Sequence, residues 1–326
     1  MTWLTVCCAG VLTLSVGFAA ETPSPALLVL NKDEGSLAII DPASGKSVAH
    51  IPTGEAPHEL TVSSDGRLAF AGNYGSRTPG STLSVFDLAG QKELHRVDLG
   101  PLRRPHGVFF AGGKLYFTAE LNNAIGRYDP EANSVDWILG TGLNGTHMVR
   151  VSNDLATIYT ANIGSNSMCI IQRGANPMVW TETVIGVGKG PEGFDLSPDG
   201  NELWAAHSQD GGISIIDTRA KTVGQTLDIH TKRSNRLKFT PDGKRVLVSD
   251  LAGNELVVLD APSRKEIKRI AMGRSPEGIL IVPDGSRAYV AEAGENRLAI
   301  LDLATLAVTG HIETGKGPDG MAWAVR

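Results

Sequence analysis

Short apolar segments of alternating character recur along the whole chain, and turns rich in Gly, Pro, Asp and Asn separate them. Residues 68–71 (LAFA), 246–249 (VLVS) and 256–260 (LVVLD) are typical segments. Alternation with a period of two predicts strands that bury one face. Helical repeats are disfavoured because Gly and Pro interrupt the chain too often for helices of useful length. The pattern therefore predicts an all-β protein.

The segments form a repeating unit. The opening of the unit is clearest at residues 191–193 (PEG) and 276–278 (PEG). In both places a strand-like segment, an Asp-Gly turn and further strand-like segments follow it. Seven such openings begin at residues 57, 105, 146, 191, 234, 276 and 318. A period of about 40–45 residues with four strands per unit is typical of propeller blades. The repeat therefore predicts a seven-bladed β-propeller with four antiparallel strands per blade.

The last unit ends after one strand, at residues 321–325. Three strand-like segments near the other end, at residues 27–31, 36–41 and 47–51, match the second, third and fourth strands of a unit. Pairing the N-terminal strands with the C-terminal strand would complete the seventh blade and protect the exposed edges of an open array. We therefore expect residues 21–326 to form a single closed propeller domain.

The first twenty residues differ from the rest. Residues 2–20 carry no charged side chain and end in the small residues Ala19 and Ala20, which predicts a signal peptide over residues 1–20. A membrane anchor is the alternative, but the apolar run is marginal against the roughly 20 residues of a transmembrane helix. Cleavage predicts a periplasmic or secreted protein without a membrane span. It also leaves Cys169 as the one cysteine, which we expect to be a buried core thiol.

Charge and composition narrow the range of partners. The chain of 326 residues has a formal net charge of -5, so it lacks the basic balance that is typical of nucleic-acid-binding proteins. We expect no nucleic-acid partner. A small molecule bound at the mouth of the channel, or an envelope protein, is the expected partner of a monomeric chain.

The repeat resembles the YVTN β-propeller family, which overlaps the seven-bladed lactonase-like propellers. The resemblance rests on the Pro-x-Gly openings, on the Ser-Pro-Asp-Gly turn at residues 197–200 and on the second-strand ending at residues 158–162 (IYTAN). It covers residues 26–326 and implies the fold more strongly than the function, because the family includes enzymes, sensors and surface proteins.

Polar residues occupy two equivalent positions in every unit. The first, which we name the start ring, follows the opening residue of the first strand and comprises His58, His106, His147, Glu192, Asn235, Glu277 and Asp319. The second, the return ring, closes the second strand and comprises Asn31, Asn73, Glu120, Asn162, His207, Asp250 and Glu292. The paired positions lie 14 or 15 residues apart. Because antiparallel strands bring these positions to one end of the blade, we expect both rings at one mouth of the channel.

Three histidines in consecutive units predict a divalent metal site. Imidazole nitrogens of His58, His106 and His147, with Glu192 as a nearby carboxylate, form a donor set that suits Zn²⁺ and other divalent ions. The ion itself, whether Zn²⁺, Mg²⁺ or Ca²⁺, is left open. Two alternatives also remain open: a ligand-binding mouth without metal, and polar rings that only bond to neighbouring loops.

The resemblance implies hydrolysis of an ester or lactone, or a lyase reaction, as one function. In that interpretation His207 or Glu277 serves as the catalytic base beside the metal. The remaining predicted ligand-binding residues are Arg104, Glu120, Asn162, Asn235, Asp250, Glu292 and Asp319. The alternative function is a non-catalytic binding module or interaction scaffold of the cell envelope. An electron-transfer domain is disfavoured, because no Cys-x-x-Cys-His haem motif is present.

Overall fold

The structure is a computed structural model and describes residues 21–326. The predicted signal peptide, residues 1–20, lies outside the described residues. The rest of the chain forms seven four-stranded antiparallel sheets, and the predicted seven-bladed propeller is confirmed. We number the blades in chain order, beginning with the blade that joins the two ends of the chain.

The strands of the seven blades are given in order from the channel outward. Blade 1 contains β28 (Pro318–Ala324), β1 (Ala26–Asn31), β2 (Ser36–Asp41) and β3 (Lys46–Pro52). Blade 2 contains β4 (Pro57–Val62), β5 (Leu68–Gly75), β6 (Pro79–Asp87) and β7 (Lys92–Asp98). Blade 3 contains β8 (Pro105–Ala111), β9 (Lys114–Ala119), β10 (Ala124–Asp129) and β11 (Ser134–Gly140). Blade 4 contains β12 (Thr146–Val151), β13 (Thr157–Asn162), β14 (Ser167–Arg173) and β15 (Trp180–Gly186).

Blade 5 contains β16 (Pro191–Leu196), β17 (Glu202–His207), β18 (Gly212–Asp217) and β19 (Thr222–Asp228). Blade 6 contains β20 (Ser234–Phe239), β21 (Arg245–Asp250), β22 (Glu255–Asp260) and β23 (Lys265–Ala271). Blade 7 contains β24 (Pro276–Ile281), β25 (Arg287–Glu292), β26 (Arg297–Asp302) and β27 (Ala307–Glu313). Two short 3₁₀ helices span Glu120–Asn122 and Ala293–Glu295.

Blade 1 closes the ring as the sequence predicts. Strand β28 from the C-terminus pairs with β1, and Leu27 lies opposite Trp323 in the register. The closure extends beyond the sheet, because the Ser24 hydroxyl donates to the carbonyl oxygen of Arg326 at 3.2 Å. The inner strands contact one another in the cyclic order β28, β4, β8, β12, β16, β20, β24 and back to β28. No inner strand is therefore left with an open side.

The core consists of seven apolar clusters, each shared by two neighbouring blades. Trp204 of blade 5 is fully buried and packs edge-on against Phe239 of blade 6, with ring centroids 5.4 Å apart. Cys169 is fully buried as predicted, and burial raises the pKa of its thiol to about 12. A thiol with this pKa stays protonated and is a poor nucleophile at neutral pH.

Glycines after the start ring allow the inner strands to approach closely. A Cβ atom added to Gly193 of β16 would lie 2.5 Å from the carbonyl oxygen of Asn235 and 2.6 Å from Cα of Arg236, both on the next inner strand. Gly107 stands in the same relation to β12, where a Cβ would lie 2.7 Å from the carbonyl oxygen of His147. These glycines therefore fix the radius at which the start ring lies.

We expect Gly193→Ala to destabilise the propeller by about 1–3 kcal/mol, because the added methyl group overlaps backbone atoms that cannot rotate away. Equilibrium denaturation in urea measures the loss. Gly186→Ala is the matched control, because an added Cβ meets nothing within 4 Å there, and its effect should stay within about 0.5 kcal/mol. Equal stability of the two variants would contradict the close-approach argument.

Candidate functional site

The start ring surrounds one mouth of the central channel. All seven of its residues line a single cavity of about 630 Å³. Each lies one residue into its inner strand, so the seven blades bring residues far apart in sequence around one axis. The three histidines of blades 2–4 form one side of the cavity, and the carboxylates of blades 5, 7 and 1 form the other.

The return ring is arranged differently from the prediction. In six blades its residue pairs with the residue that precedes the start ring, as Asn73 does with Pro57 and His207 does with Pro191. Successive residues of a strand point to opposite faces, so the side chains of the return ring lie opposite those of the start ring. The residue after the return ring faces the cavity instead. The cavity-lining residues of this kind are Lys32, Tyr74, Ile163, Ser208 and Leu251.

Glu120 is the exception. In blade 3, Pro105 pairs with Ala119 rather than with Glu120, because β9 ends at Ala119 and a 3₁₀ helix begins at Glu120. The shift of one residue moves the carboxylate from the blade to the cavity. Glu120 lines the cavity and contacts Nδ1 of His147 at 2.7 Å.

Three other predicted ligand-binding residues of the return ring bond within the blades. Asn162 is fully buried, and its amide donates to a backbone carbonyl oxygen at 3.2 Å. Asp250 accepts three backbone N–H groups, two at 2.8 Å and one at 2.9 Å. Glu292 accepts a backbone N–H at 2.5 Å and the Nε–H of Arg297 at 2.6 Å. None of the three side chains lines the cavity. Their hydrogen bonds instead stabilise the loops at its rim.

His207 and Arg104 also lie outside the cavity lining. His207 contacts Asp210 Oδ1 through Nδ1 at 2.9 Å and the Ser214 hydroxyl through Nε2 at 3.0 Å, so neither ring nitrogen is available to a ligand. The Arg104 guanidinium lies at the rim, 4.5 Å from the centroid of the Tyr74 ring.

The histidine side of the cavity is a stack of rings. The ring centroids of His106 and His147 are 3.6 Å apart and those of His58 and His106 are 5.2 Å apart. Nδ1 of His106 and Nε2 of His147 are buried without a hydrogen-bond partner among the described residues. Burial lowers the pKa of His106 well below its usual value, and the neighbouring histidines lower it further. The stack is therefore uncharged at His106 at neutral pH.

His58 presents its free nitrogen to the cavity. Its Nδ1–H donates to the carbonyl oxygen of Ala56 at 2.8 Å, which fixes the tautomer and leaves the lone pair on Nε2. Within residues 21–326, Nε2 has no hydrogen-bond partner, and it is not among the buried unpaired atoms. Burial is the main cause of a lowered pKa at His58. A neutral imidazole with an exposed lone pair can accept a proton.

Glu120 holds His147 in place. Burial opposes ionisation of Glu120, but hydrogen bonds from His147 and from the Tyr74 hydroxyl, at 2.9 Å, outweigh it and lower the pKa of the carboxyl. Burial, followed by the nearby Glu120 charge, raises the pKa of Tyr74 to about 12. Tyr74 therefore stays protonated and donates to a charged carboxylate.

The acidic side combines two carboxyl groups with one ammonium. The Lys32 ammonium donates to a carboxyl oxygen of Glu277 and forms an ion pair with Asp319 at 3.7 Å. Burial and the neighbouring Asp319 raise the pKa of Glu277 to about 8, whereas Lys32 and Arg236 overcome burial and lower the pKa of Asp319. At neutral pH, Glu277 is therefore a protonated acid beside an ionised Asp319.

Arg236 closes the floor of the cavity. Its guanidinium is buried, pairs with Glu59, and lies 3.8 Å from Glu192 and 3.7 Å from Asp319. Arg236 also lines a second cavity of about 250 Å³ further along the channel. We name the two spaces the upper cavity and the lower chamber. Asn235 completes the floor by donating to Glu192 at 2.7 Å.

Comparison with known proteins identifies the family. The model of the YNCE-like beta-propeller family matches residues 154–324, just over half of the chain. The chain belongs to the YNCE-like beta-propeller family. No curated protein sequence matches it significantly.

Solved structures of similar fold include lactonases and an enzyme of other chemistry. The periplasmic gluconolactonase PpgL of Pseudomonas aeruginosa is 17% identical, with a TM-score of 0.76 over 93% of this chain and 99% of that one. A provisional 6-phosphogluconolactonase of Bacteroides uniformis is 15% identical, with a TM-score of 0.77 over 92% and 99%. The hydrazine synthase of Kuenenia stuttgartiensis is 18% identical, with a TM-score of 0.76 over 90% and 99%. These similarities show the fold of the YNCE-like propeller alone.

The predicted metal donors of this YNCE-like propeller are only partly assembled. The histidines lie together, but Glu192 bonds to Asn235 on the acidic side. Within residues 21–326, no group of three or more His, Cys, Asp or Glu side chains is arranged to hold a metal ion. Stacking turns the rings of His106 and His147 face to face rather than pointing their nitrogens at a common centre. The donors as placed do not fit the predicted ion.

Within residues 21–326, no helix has the length and apolar character needed to cross a bilayer.

The raised pKa of Glu277 predicts a pH dependence of the stability of this YNCE-like propeller. The folded chain keeps a proton that the unfolded chain releases above pH 4.5, so stability falls as pH rises from 4.5 to about 8. Glu277→Gln should remove this contribution, which has a slope of at most about 1.4 kcal/mol per pH unit. Urea denaturation across this range measures it. Glu131→Gln, at an exposed position, should keep the wild-type slope, and parallel curves for all three proteins would contradict the assignment.

Proposed function

We propose that this propeller hydrolyses an ester or lactone bond of a small anionic substrate in the upper cavity. The observation that carries the proposal is that His58 and Glu277 line the same cavity in complementary states. His58 has a free lone pair on Nε2, and Glu277 carries a proton at neutral pH. A base and an acid with pKa values moved in opposite directions by their surroundings are typical of acid–base catalysis.

Each residue takes a definite role in this reaction. Nε2 of His58 removes a proton from water, whose oxygen forms a bond to the carbonyl carbon. The acyl C–O bond then breaks, and Glu277 gives its proton to the leaving oxygen. Exchange with solvent restores both residues. Lys32 and Arg236 supply positive charge for the oxygen that becomes negative in the transition state.

The rim supplies a site for the negative charge of the substrate. Arg233 lines the upper cavity and is exposed, and among the described residues no carboxylate pairs with its side chain. A guanidinium in this state can bind a carboxylate or phosphate through two parallel hydrogen bonds. Among the proteins of similar fold, the name of the provisional 6-phosphogluconolactonase denotes a lactone that carries a phosphate, which supports the proposal.

A direct assay tests the proposal. The full chain is mixed with the anionic lactone 6-phosphoglucono-δ-lactone at neutral pH, and acid release is followed in a pH-stat against the spontaneous rate. We expect a rate above the spontaneous rate that saturates with substrate and falls above about pH 8 as Glu277 loses its proton. A panel of aldonolactones and aryl esters that all react at the spontaneous rate would reject hydrolysis and favour the alternative, a binding module or scaffold of the envelope.

The predicted divalent ion needs a separate measurement. Elemental analysis of the purified chain, repeated on His147→Ala, tests it directly. One ion per chain that is lost in the variant would support a metal site among the histidines, with Glu120 orienting His147 through the contact at Nδ1. If the purified chain contains no metal and is not stabilised against heat by Zn²⁺, Mg²⁺ or Ca²⁺, the metal site is rejected. The proposed function then rests on the acid–base roles of His58 and Glu277 alone.

We propose in addition that the chain acts outside the cytoplasm, in the periplasm or as a secreted protein. The uncharged apolar segment at residues 2–20 and the likeness to a periplasmic gluconolactonase support this proposal. Mass spectrometry of the exported chain should give an N-terminus at Ala20 or Glu21. An intact N-terminus in a cytoplasmic fraction would reject it.

A further inference from the structure

The lower chamber contains a charged ring of its own. Three residues beyond each start-ring position, the seven inner strands carry Thr61, Phe109, Arg150, Asp195, Lys238, Leu280 and Ala322. All seven residues line the lower chamber or the pocket that adjoins it at Lys238 and Arg150, and of the three charged residues only Asp195 is acidic. This level of the channel therefore holds two cationic side chains and one carboxylate.

The carboxylate of Asp195 is fully used by other groups. Oδ1 pairs with Nη1 of Arg150 and accepts the backbone N–H of Leu196 at 3.1 Å, and Oδ2 accepts the backbone N–H of Phe239 at 3.1 Å. Glu59, the other acidic residue of the lower chamber, pairs with Arg236. Among residues 21–326, Lys238 therefore has neither an ion pair nor a hydrogen bond for its ammonium group.

An unpaired ammonium in a half-buried chamber is costly unless an anion accompanies it. Burial, together with the charge of Arg150, lowers the pKa of Lys238 to about 8, although the charge of Glu59 opposes the shift. Arg150 uses only Nη1 for Asp195, so its other guanidinium N–H groups remain available. The chamber thus offers the unpaired ammonium of Lys238 and, beside it, the free N–H groups of Arg150, whose own counter-ion is Asp195.

Apolar side chains form part of the wall of the lower chamber. Phe109, Phe194, Ile279 and Met321 line it together with smaller aliphatic groups. Its volume of about 250 Å³ is below the usual range of sites for drug-sized ligands, which is about 300–1,000 Å³. Such a space suits a small molecule with a hydrocarbon part and one anionic group.

We propose that the lower chamber binds a small amphiphilic carboxylate, with its carboxylate at Lys238 and Arg150 and its hydrocarbon part against Phe109, Phe194 and Ile279. This site is separate from the proposed hydrolytic site, because the side chain of Arg236 and its ion pairs lie between the two spaces. The two proposals therefore stand or fall independently.

Isothermal titration of the full chain with acetate, butyrate and hexanoate tests the proposal. Affinity should rise by up to about fourfold for each methylene that the apolar walls cover. Lys238→Met should weaken hexanoate binding by about tenfold or more, because it removes a charge-assisted hydrogen bond and keeps most of the side-chain volume. Lys238→Arg should retain binding, and Lys46→Met, at an exposed position, should match the wild type.

Several outcomes would overturn the proposal. These are no binding of hexanoate by the wild type, equal affinity for acetate and hexanoate, or a Lys238→Met variant that binds as the wild type does. Inorganic phosphate separates a site for any anion from a site for an amphiphilic carboxylate, and phosphate that binds more tightly than hexanoate would also count against it. Loss of lactone hydrolysis in His58→Gln with unchanged hexanoate binding would separate this site from the upper cavity.

Discussion

His58→Gln should lower kcat/KM for lactone hydrolysis by about 10²–10⁴-fold, the range that a positioned general base contributes. Glutamine keeps a polar side chain of similar length with N–H donors, while the basic lone pair on Nε2 is lost. The loss should therefore lie in kcat rather than in KM. Initial rates in the pH-stat, across a range of substrate concentrations, separate the two.

The control for this variant is another histidine with an equal change of side chain. His230 is exposed, its side chain pairs with Asp228 at 2.9 Å, and it does not line the upper cavity. His230→Gln should keep the wild-type rate, and both variants should unfold at the wild-type urea concentration. A His58→Gln enzyme that retains more than about a tenth of the wild-type kcat would show that another group accepts the proton.

The sequence predicts the fold closely because the repeat constrains it seven times. An alternating pattern with a four-strand period leaves little choice of register, and the incomplete last unit requires closure by residues 26–52. The start ring follows from the same regularity. A position defined relative to the opening residue of each inner strand lies at the same height in all seven blades, and all seven residues line the upper cavity.

The return ring shows where the same reasoning stops. Placing a residue at the end of a strand fixes its height but not its face, and one residue decides the face. The pairing of Asn73 with Pro57, and its counterparts in five other blades, turns the ring away from the cavity. The spacing did carry a signal: Glu120 lies 14 residues after its start-ring partner, whereas the other complete units have 15.

Side-chain contacts across the channel could not be predicted from the sequence. Arg236 and Glu59 are 177 residues apart and pair because their inner strands face the same axis. Their positions are unusual within the repeat, since the equivalent residue is Gly in four of the other five units. A charged side chain at a position that otherwise takes Gly indicates that the channel is filled there, although it does not identify the partner.

Arg236→Met should destabilise the propeller by about 3–5 kcal/mol at neutral pH, because it leaves buried carboxylates without a counter-charge. The guanidinium is the shared partner of Glu59, Glu192 and Asp319, and these carboxylates overcome burial to raise its pKa above the usual value. Equilibrium denaturation in urea measures the loss. Arg67→Met is the control: its side chain is 79% exposed with one contact at 3.9 Å, so it should cost less than about 1 kcal/mol.

The double variant Arg236→Met/Glu59→Gln separates the charge from the packing. If uncompensated charge causes the loss, removing the carboxylate of Glu59 should restore part of the stability that Arg236→Met loses, and the deficit of the single variant should shrink as acid protonates the remaining carboxylates. If lost packing causes it, the two substitutions should add and the deficit should not change with pH. Additive losses together with a constant deficit would mean that Arg236 acts as a space-filling side chain. The charge balance of the upper cavity and the lower chamber would then have to come from other residues.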